Sequence, residues 1–258
     1  MVAGSFVICI CGKGGVGKTT VTALITKALV EENKKIRLLV IDADPVSGAA
    51  LALGIKDPRS VGEVREEIIS GVGSGRGKEI KDNLDYILLS TLIERDDFNF
   101  LAMGRTETLG CFCPVNTILK RAITSLSSSF DVVLIDAEAG IEQLHRKVIG
   151  GVDLLLIVTD PSQRGFATAG VIKTITEQHP RLKPKEMGLI INRYRDGLDN
   201  LKDHASRENL DILGVIPEDE TISNLDLRGS PIYGINKDAL SYESIQRILV
   251  EVLKKETN

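Results

Sequence analysis

A chain of 258 residues with 32 Lys and Arg against 36 Asp and Glu carries a formal charge of −4, and no basic run is long enough to offer nucleic acid an electrostatic footprint. No uninterrupted apolar stretch approaches the roughly 20 residues that span a bilayer, so neither a nucleic-acid nor a membrane partner is expected. Hydrophobic residues make up 43% but aromatics only 4%, with no Trp, so one α/β domain over residues 1–258 would need a mostly aliphatic core.

The first element is the apolar run Phe6 to Ile10, which reads as a buried strand. It is too short for a signal sequence and no charged segment precedes it, which predicts a cytoplasmic protein. The run enters Gly12-Lys13-Gly14-Gly15-Val16-Gly17-Lys18-Thr19-Thr20 and then Val21 to Val30, whose apolar positions recur at helical spacing. Strand, glycine loop and helix together fit G-x-x-x-x-G-K-[ST], in which backbone N–H groups turn inward to cradle phosphates and the helix N-terminus adds its dipole. Lys18 would then reach the β- and γ-phosphates, and the Thr19 hydroxyl would ligate Mg²⁺. Cys9 and Cys11 share one face of the strand and read as small buried hydrophobes; cysteines in a reducing compartment are thiols or metal ligands rather than disulfides.

A second apolar strand, Ile36 to Ile41, ends in Asp42-Ala43-Asp44-Pro45. Carboxylates at the end of such a strand suit Mg²⁺ and water contacts, although a turn with a helix cap would use the same residues. A short helix is expected from Ser60 to Ser70, a glycine-dense loop from Gly71 to Gly77, a strand from Tyr86 to Leu89 and irregular structure from Ile93 to Leu109. Cys111-Phe112-Cys113-Pro114 then precedes a helix from about Asn116 to Leu126. Two thiolates one residue apart can face one soft metal ion, Ni²⁺, Zn²⁺ or Cu(I), or an iron–sulfur centre. An isolated C-x-C is also readily incidental.

Phe130 to Asp136 is a further buried strand ending in a carboxylate, as a Walker-B-type Mg²⁺ site requires, and Ala137-Glu138-Ala139-Gly140 follows, where Gly140 could sense the γ-phosphate. His145 reads as a solvent-facing or core residue of a short helix. Strands are expected at Leu154 to Val158, Met187 to Ile191 and Leu213 to Ile216, and a helix at Phe166 to Thr176. The second of these strands ends at Asn192-Arg193, where an amide could pair with a base edge or simply form a turn, and the last at Pro217-Glu218-Asp219. A final helix, Ala239 to Lys255, carries Ile245, Ile248, Leu249, Val252 and Leu253 on one face, a stripe that suits core packing better than membrane docking. The whole predicts a single-domain P-loop NTPase with a mostly parallel central sheet and helices on both faces.

Lys13 goes beyond the general P-loop pattern, and Lys13-Gly14-Gly15-Val16-Gly17-Lys18-Thr19-Thr20 resembles the deviant Walker A of the MinD/ParA/NifH family of dimerising ATPases. Asp42-x-Asp44-Pro45 resembles that family's first switch, Asp136 to Gly140 its second, and Asn192-Arg193 with Pro217-Glu218-Asp219 its adenine-side loops. The resemblance implies a homodimer that binds ATP or ADP on Gly12, Gly14, Gly15, Val16, Gly17, Lys18, Thr19, Thr20 and Gly140, and hydrolyses ATP. Mg²⁺ would be held by Thr19, Asp42, Asp44 and Asp136, with Asp44 orienting the attacking water and Lys13 acting in trans. Cys111-x-Cys113 with Asp136 to Glu142 most resembles the CooC-type branch, nickel-insertion ATPases of carbon monoxide dehydrogenase maturation. That implies Ni or Zn shared across the dimer by Cys111 and Cys113 of each chain, and a carbon monoxide dehydrogenase-like client. Glu138 departs from the second-switch pattern by adding a charge. A NifH-like reductase would place a cluster cysteine at the second switch, where this chain has none; an iron–sulfur scaffold ATPase and a MinD/ParA-like positioning ATPase are the alternatives.

Overall fold

The computed structural model describes residues 4–44, 48–73, 89–104, 123–137, 151–178, 184–195 and 199–255. Cys111, Cys113, Glu138, Gly140 and His145, and most of the helix expected from Asn116, lie outside the described residues. Strands β1 (Phe6–Gly12), β2 (Leu38–Asp42), β3 (Ile93–Glu94), β4 (Asn99–Ala102), β5 (Val132–Asp136), β6 (Leu154–Thr159), β7 (Glu186–Tyr194) and β8 (Ile212–Pro217) form one sheet in the order β3-β4-β2-β5-β1-β6-β7-β8. Every pairing is parallel except β3 with β4. Among the described residues the helices are α1 (Lys18–Glu32), α2 (Gly48–Ala52), α3 (Val61–Gly73), α4 (Gln163–Gln178), α5 (Asp199–Arg207), α6 (Glu220–Leu227) and α7 (Leu240–Lys255), with residues 123–127 also helical.

Covered sheets bury both faces of their strands, and alternation along β1 sorts its side chains into two cores. Val7, Cys9 and Cys11 join residues of α3, α4 and α5 on one side. Ile8 and Ile10 join α1, α2, a 3-10 turn at Ile232–Gly234 and α7 on the other. Both thiols are fully buried, and burial pushes Cys11 up to about 12 and Cys9 well above the usual thiol range, so they act as small apolar side chains. Ile245, Ile248, Leu249 and Val252 of α7 are buried in the second core, so this stripe packs inward. Among the described residues, no helix is long and apolar enough to cross a membrane.

Three expectations are corrected. Gly71, Val72 and Gly73, expected to begin a glycine-dense loop, are the last residues of α3. The segment after Ile93 is not irregular throughout: β3 and β4 form a short antiparallel pair at the sheet edge, and β4 joins β2 in parallel. Phe98, Phe100 and Leu101 are buried there, and edge pairing gave order to a stretch whose local periodicity is weak. Of the strand expected over Tyr86 to Leu89 only Leu89 is described, and it is helical rather than extended, its carbonyl accepting from the Leu92 N–H at 3.1 Å. Helix α3 begins in a capping box: Glu63 accepts from the Ser60 N–H at 2.7 Å, while Ser60 Oγ accepts from the Glu63 N–H at 3.2 Å.

Candidate nucleotide and metal site

Chain order fixes where the site must lie. From β1 the chain winds toward β2, β4 and β3, returns to insert β5 beside β1, and then crosses to β6, β7 and β8. β1 therefore sits at the reversal of strand order, the place where open parallel sheets leave a crevice at their carboxyl ends. The loop of residues 13–17 leaves β1 at that edge and passes into α1 through Gly17, whose φ of 91° is left-handed. Gly12 is required on packing grounds as well, because a Cβ there would lie 2.1 Å from the Val158 carbonyl oxygen of the neighbouring strand. Lys18 Nζ donates to the Lys13 carbonyl across the loop at 3.3 Å.

The parallel register places Asp42 opposite Asp136 on adjacent strands, with Ile10 of β1 opposite Asp136 on the other side. Both carboxylates are buried, and they are used differently. Asp42 accepts from the Asp44 N–H at 3.0 Å through one oxygen and from the Ala49 N–H at 2.9 Å through the other. It thus ties Asp44 and Ala49 to the end of β2. Asp136 Oδ2 is buried and has no hydrogen-bond partner among the described residues. Burial, with the Asp136 charge second, pushes Asp42 up to about 7. Burial also pushes Asp136 up to about 6, against the pull of the Thr19 hydroxyl and the Lys18 ammonium. Gly48, the first residue of α2, comes within contact of Thr19, a Cβ there lying 3.6 Å from the hydroxyl oxygen.

A hard divalent cation takes oxygen ligands, and an orphaned buried carboxylate oxygen beside a threonine hydroxyl at a phosphate loop is a donor set that fits Mg²⁺. Thr19 and Asp136 would hold it directly. Asp42 would contribute mainly charge, because both its oxygens already accept backbone hydrogen bonds. Asp44, two residues beyond Asp42, is half-buried, Gly14 and Gly15 are exposed in the loop, and Thr20 is half-buried in the first turn of α1.

On the far side, β7 and β8 bring Asn192, Arg193, Pro217, Glu218 and Asp219 to the same edge. Asn192 is buried and its Nδ2 donates to the Val16 carbonyl at 2.8 Å, while Arg193 Nη1 donates to the Gly15 carbonyl at 3.1 Å. Glu218 pairs with Arg195, and its backbone N–H donates to the Tyr194 carbonyl at 2.9 Å. Asp219 caps α6, accepting from the Thr221 N–H at 2.8 Å, and its second oxygen accepts from the Ser241 N–H at 3.0 Å and hydroxyl at 2.7 Å. Sequence reasoning overlooked α6; an Asp followed by Ile222 and Leu225 at helical spacing was the available signal. It also overlooked the contacts from β7 to the glycine loop, for which no local signal exists.

Comparison with known proteins decides the family. The CobQ/CobB/MinD/ParA nucleotide binding domain matches residues 7–232. The chain belongs to that family. It is 34% identical to an uncharacterized ATP-binding protein of Methanocaldococcus jannaschii, over 96% of this chain and 99% of the relative. It is 32% identical to the carbon monoxide dehydrogenase accessory protein CooC of Rhodospirillum rubrum, over 87% of this chain and 93% of that protein. The fold is shared with the septum site-determining protein MinD of Pyrococcus horikoshii, solved with Mg-ADP: TM-score 0.67, 21% identity, 98% of this chain and 97% of that one covered. As a member of this nucleotide-binding family the chain is a MinD/ParA-type P-loop ATPase.

Proposed function

We propose that this ATPase is a metal-delivery protein: a homodimer that hydrolyses ATP with Mg²⁺, takes up one metal ion through Cys111 and Cys113 of both chains, and hands it to a client metalloenzyme of the carbon monoxide dehydrogenase kind. The observation that carries this reading is the 32% identity to CooC over most of the chain, in a protein that has a C-x-C pair at Cys111 and Cys113. Two thiolates underfill a four-coordinate site, and a twofold axis supplies the missing pair. Nickel is the expected cargo and zinc the expected competitor, because a thiolate set does not by itself choose between them.

At the nucleotide, Thr19 and Asp136 would hold Mg²⁺, which would supply positive charge against the phosphates. Lys18 leaves the Lys13 carbonyl for the β- and γ-phosphates, Asp44 orients the water, and Lys13 reaches the partner's phosphates. A lysine ammonium is strongly hydrated, so that last contact matters only when closure of the two chains excludes water. If metal and nucleotide both depend on how closely the chains approach, their affinities are linked, and a tenfold effect of one on the other corresponds to about 1.4 kcal/mol.

The test is anaerobic purification with metal analysis and dimer fraction measured without nucleotide, with ADP and with a non-hydrolysable ATP analogue. One nickel or zinc ion per dimer, lost in Cys111→Ser/Cys113→Ser and sensitive to nucleotide, is the expected result. An ion per monomer, or retention without the two thiols, rules the shared site out. Iron and sulfide in place of a single ion would assign the protein to cluster carriage instead.

A further inference from the structure

A loop that cradles phosphate must keep its N–H groups turned in and its carbonyls turned out. In a trans peptide the C=O and the following N–H point in opposite directions. Holding the Gly15 carbonyl outward therefore holds the Val16 N–H inward, and holding the Val16 carbonyl outward does the same for the Gly17 N–H. Those two carbonyls are the ones that Arg193 and Asn192 take, at 3.1 and 2.8 Å. Both donors come from β7, more than 170 residues along the chain from the loop.

The end of β7 is shaped for this contact. Ile191 pairs with Val215 and Tyr194 with Pro217, so β7 takes three steps where β8 takes two, and the extra residue makes a bulge at Asn192 and Arg193. Bulges re-aim side chains, and here Arg193 carries the turn in a left-handed conformation at φ 58°, uncommon for a residue with a Cβ. Across the contact, Gly17 leaves room for the amide: a Cβ at Gly17 would lie 2.4 Å from Asn192 Nδ2.

We infer that Asn192, backed by Arg193, is a positioning residue of the phosphate loop, fixing the inward direction of the Val16 and Gly17 N–H groups before any ligand arrives. The inference rests on the nucleotide reading of the loop, and it adds to the base-edge role expected for Asn192: the amide nitrogen is committed to the loop, so its effect reaches the phosphates whatever base is attached. A preformed cradle avoids ordering cost at binding. Removing the tie weakens every ligand that carries the phosphate chain.

Base-free magnesium tripolyphosphate is the probe that separates the two roles. Its affinity, with those of Mg-ATP and Mg-GTP, is measured calorimetrically in the parent, Asn192→Ala, Asn192→Asp and Arg193→Ala. The loss of one hydrogen bond predicts a weakening of about three- to tenfold for Asn192→Ala, equal for all three ligands. Asn192→Asp keeps the shape without the donor and should do no better. The Arg193 side chain is exposed, so Arg193→Ala keeps the test open if Asn192→Ala does not fold, with a loss of about threefold expected. Unchanged tripolyphosphate affinity with weakened ATP binding would make Asn192 a base reader only and overturn the inference. Amide order parameters at Val16 and Gly17 in the ligand-free protein give a second readout, expected to fall in the variants. If the parent binds neither ATP nor tripolyphosphate, the nucleotide reading fails on its own, and those order parameters alone decide whether the tie holds the loop.

Discussion

The ends of β2 and β5 are two solutions to the same local sequence, an apolar strand that stops at a buried Asp. At β2 the carboxylate spends both oxygens on backbone N–H groups of Asp44 and Ala49 and so ties the start of α2 to the end of β2. At β5 the carboxylate of Asp136, a residue 2% exposed and beside Thr19 and Lys18, keeps one oxygen without a partner among the described residues. A buried acceptor left unsatisfied costs stability, whereas one that accepts two N–H groups returns much of its desolvation cost. The first arrangement builds the crevice and the second leaves a vacant valence in it. Identical strand endings therefore do not imply identical work.

The largest expected effect lies outside the pair and tests what it serves. Lys18→Ala removes the cation beside Asp136 that is proposed to meet the phosphates, and Asp44→Ala removes the carboxylate proposed to orient the attacking water. Either should lower ATP turnover by about a hundredfold or more while the far-ultraviolet circular dichroism stays that of the parent. Retained turnover in Lys18→Ala would break the link between the carboxylate pair and phosphate chemistry.

Next in size is the contrast itself. Asp136→Asn replaces a buried, partly unsatisfied charge by a neutral amide of the same shape. The shift of Asp136 from 3.8 to about 6 corresponds to stabilisation on the order of 2 to 3 kcal/mol at neutral pH, seen as a higher thermal midpoint without ligand. The same variant should lose its response to Mg²⁺. Asp42→Ala should instead release the backbone: hydrogen exchange at the Asp44 and Ala49 amides rises by about tenfold or more, an effect that Asp136→Asn does not produce. Should Asp136→Asn lower the ligand-free midpoint, the oxygen is not the liability assigned to it.

A pH series sharpens the same comparison. Both carboxylates titrate above their ordinary 3.8 in the folded chain, at about 7 for Asp42 and about 6 for Asp136. Between those limits the folded state binds protons more tightly than the unfolded one, so the contribution of this pair to stability falls as pH rises from about 4 and levels off above about 7. Glu31, held down to about 2 by Tyr242, Lys27 and Lys237 against its burial, works in the opposite direction at lower pH, so the difference between parent and Asp136→Asn is the quantity to follow. That difference should grow from near zero at pH 4 to its full value above pH 7. Mg²⁺ affinity should rise over the same range, since a ligating carboxylate must first lose its proton.

What could be read from the sequence follows from how local each feature is. The loop of residues 12–20 and the strands ending in Asp42 and Asp136 announce themselves because the glycines, the lysine and the carboxylates are adjacent in sequence to the elements that place them. β3 and β4 do not, because their order comes from pairing at a sheet edge rather than from their own periodicity. The contact from Asn192 to the Val16 carbonyl is the clearest case: its partners are far apart in the chain, and the bulge that aims the amide depends on register with β8. Periodicity reports on elements, and register reports on what their ends touch.

Asp219 carries the smallest expected effect and the one that most directly separates resemblance from geometry. The resemblance places Asp219 among the adenine-side residues. In the fold its carboxylate caps α6 through the Thr221 N–H and joins that helix to the start of α7 through the Ser241 N–H and hydroxyl, which also hold its pKa down against burial. An N-cap is worth about 1 kcal/mol, and the Ser241 contacts add to it, so Asp219→Ala should cost about 1 to 2 kcal/mol, a fall of a few degrees in the thermal midpoint. Asp219→Asn should recover part of that, since an amide oxygen still accepts from Thr221 while its nitrogen faces the Ser241 N–H. With both oxygens engaged, the preference for ATP over GTP should be nearly unchanged in either variant. A variant that keeps its midpoint and loses that preference would return Asp219 to the nucleotide, and would mean that the end of β8 rearranges when the base arrives.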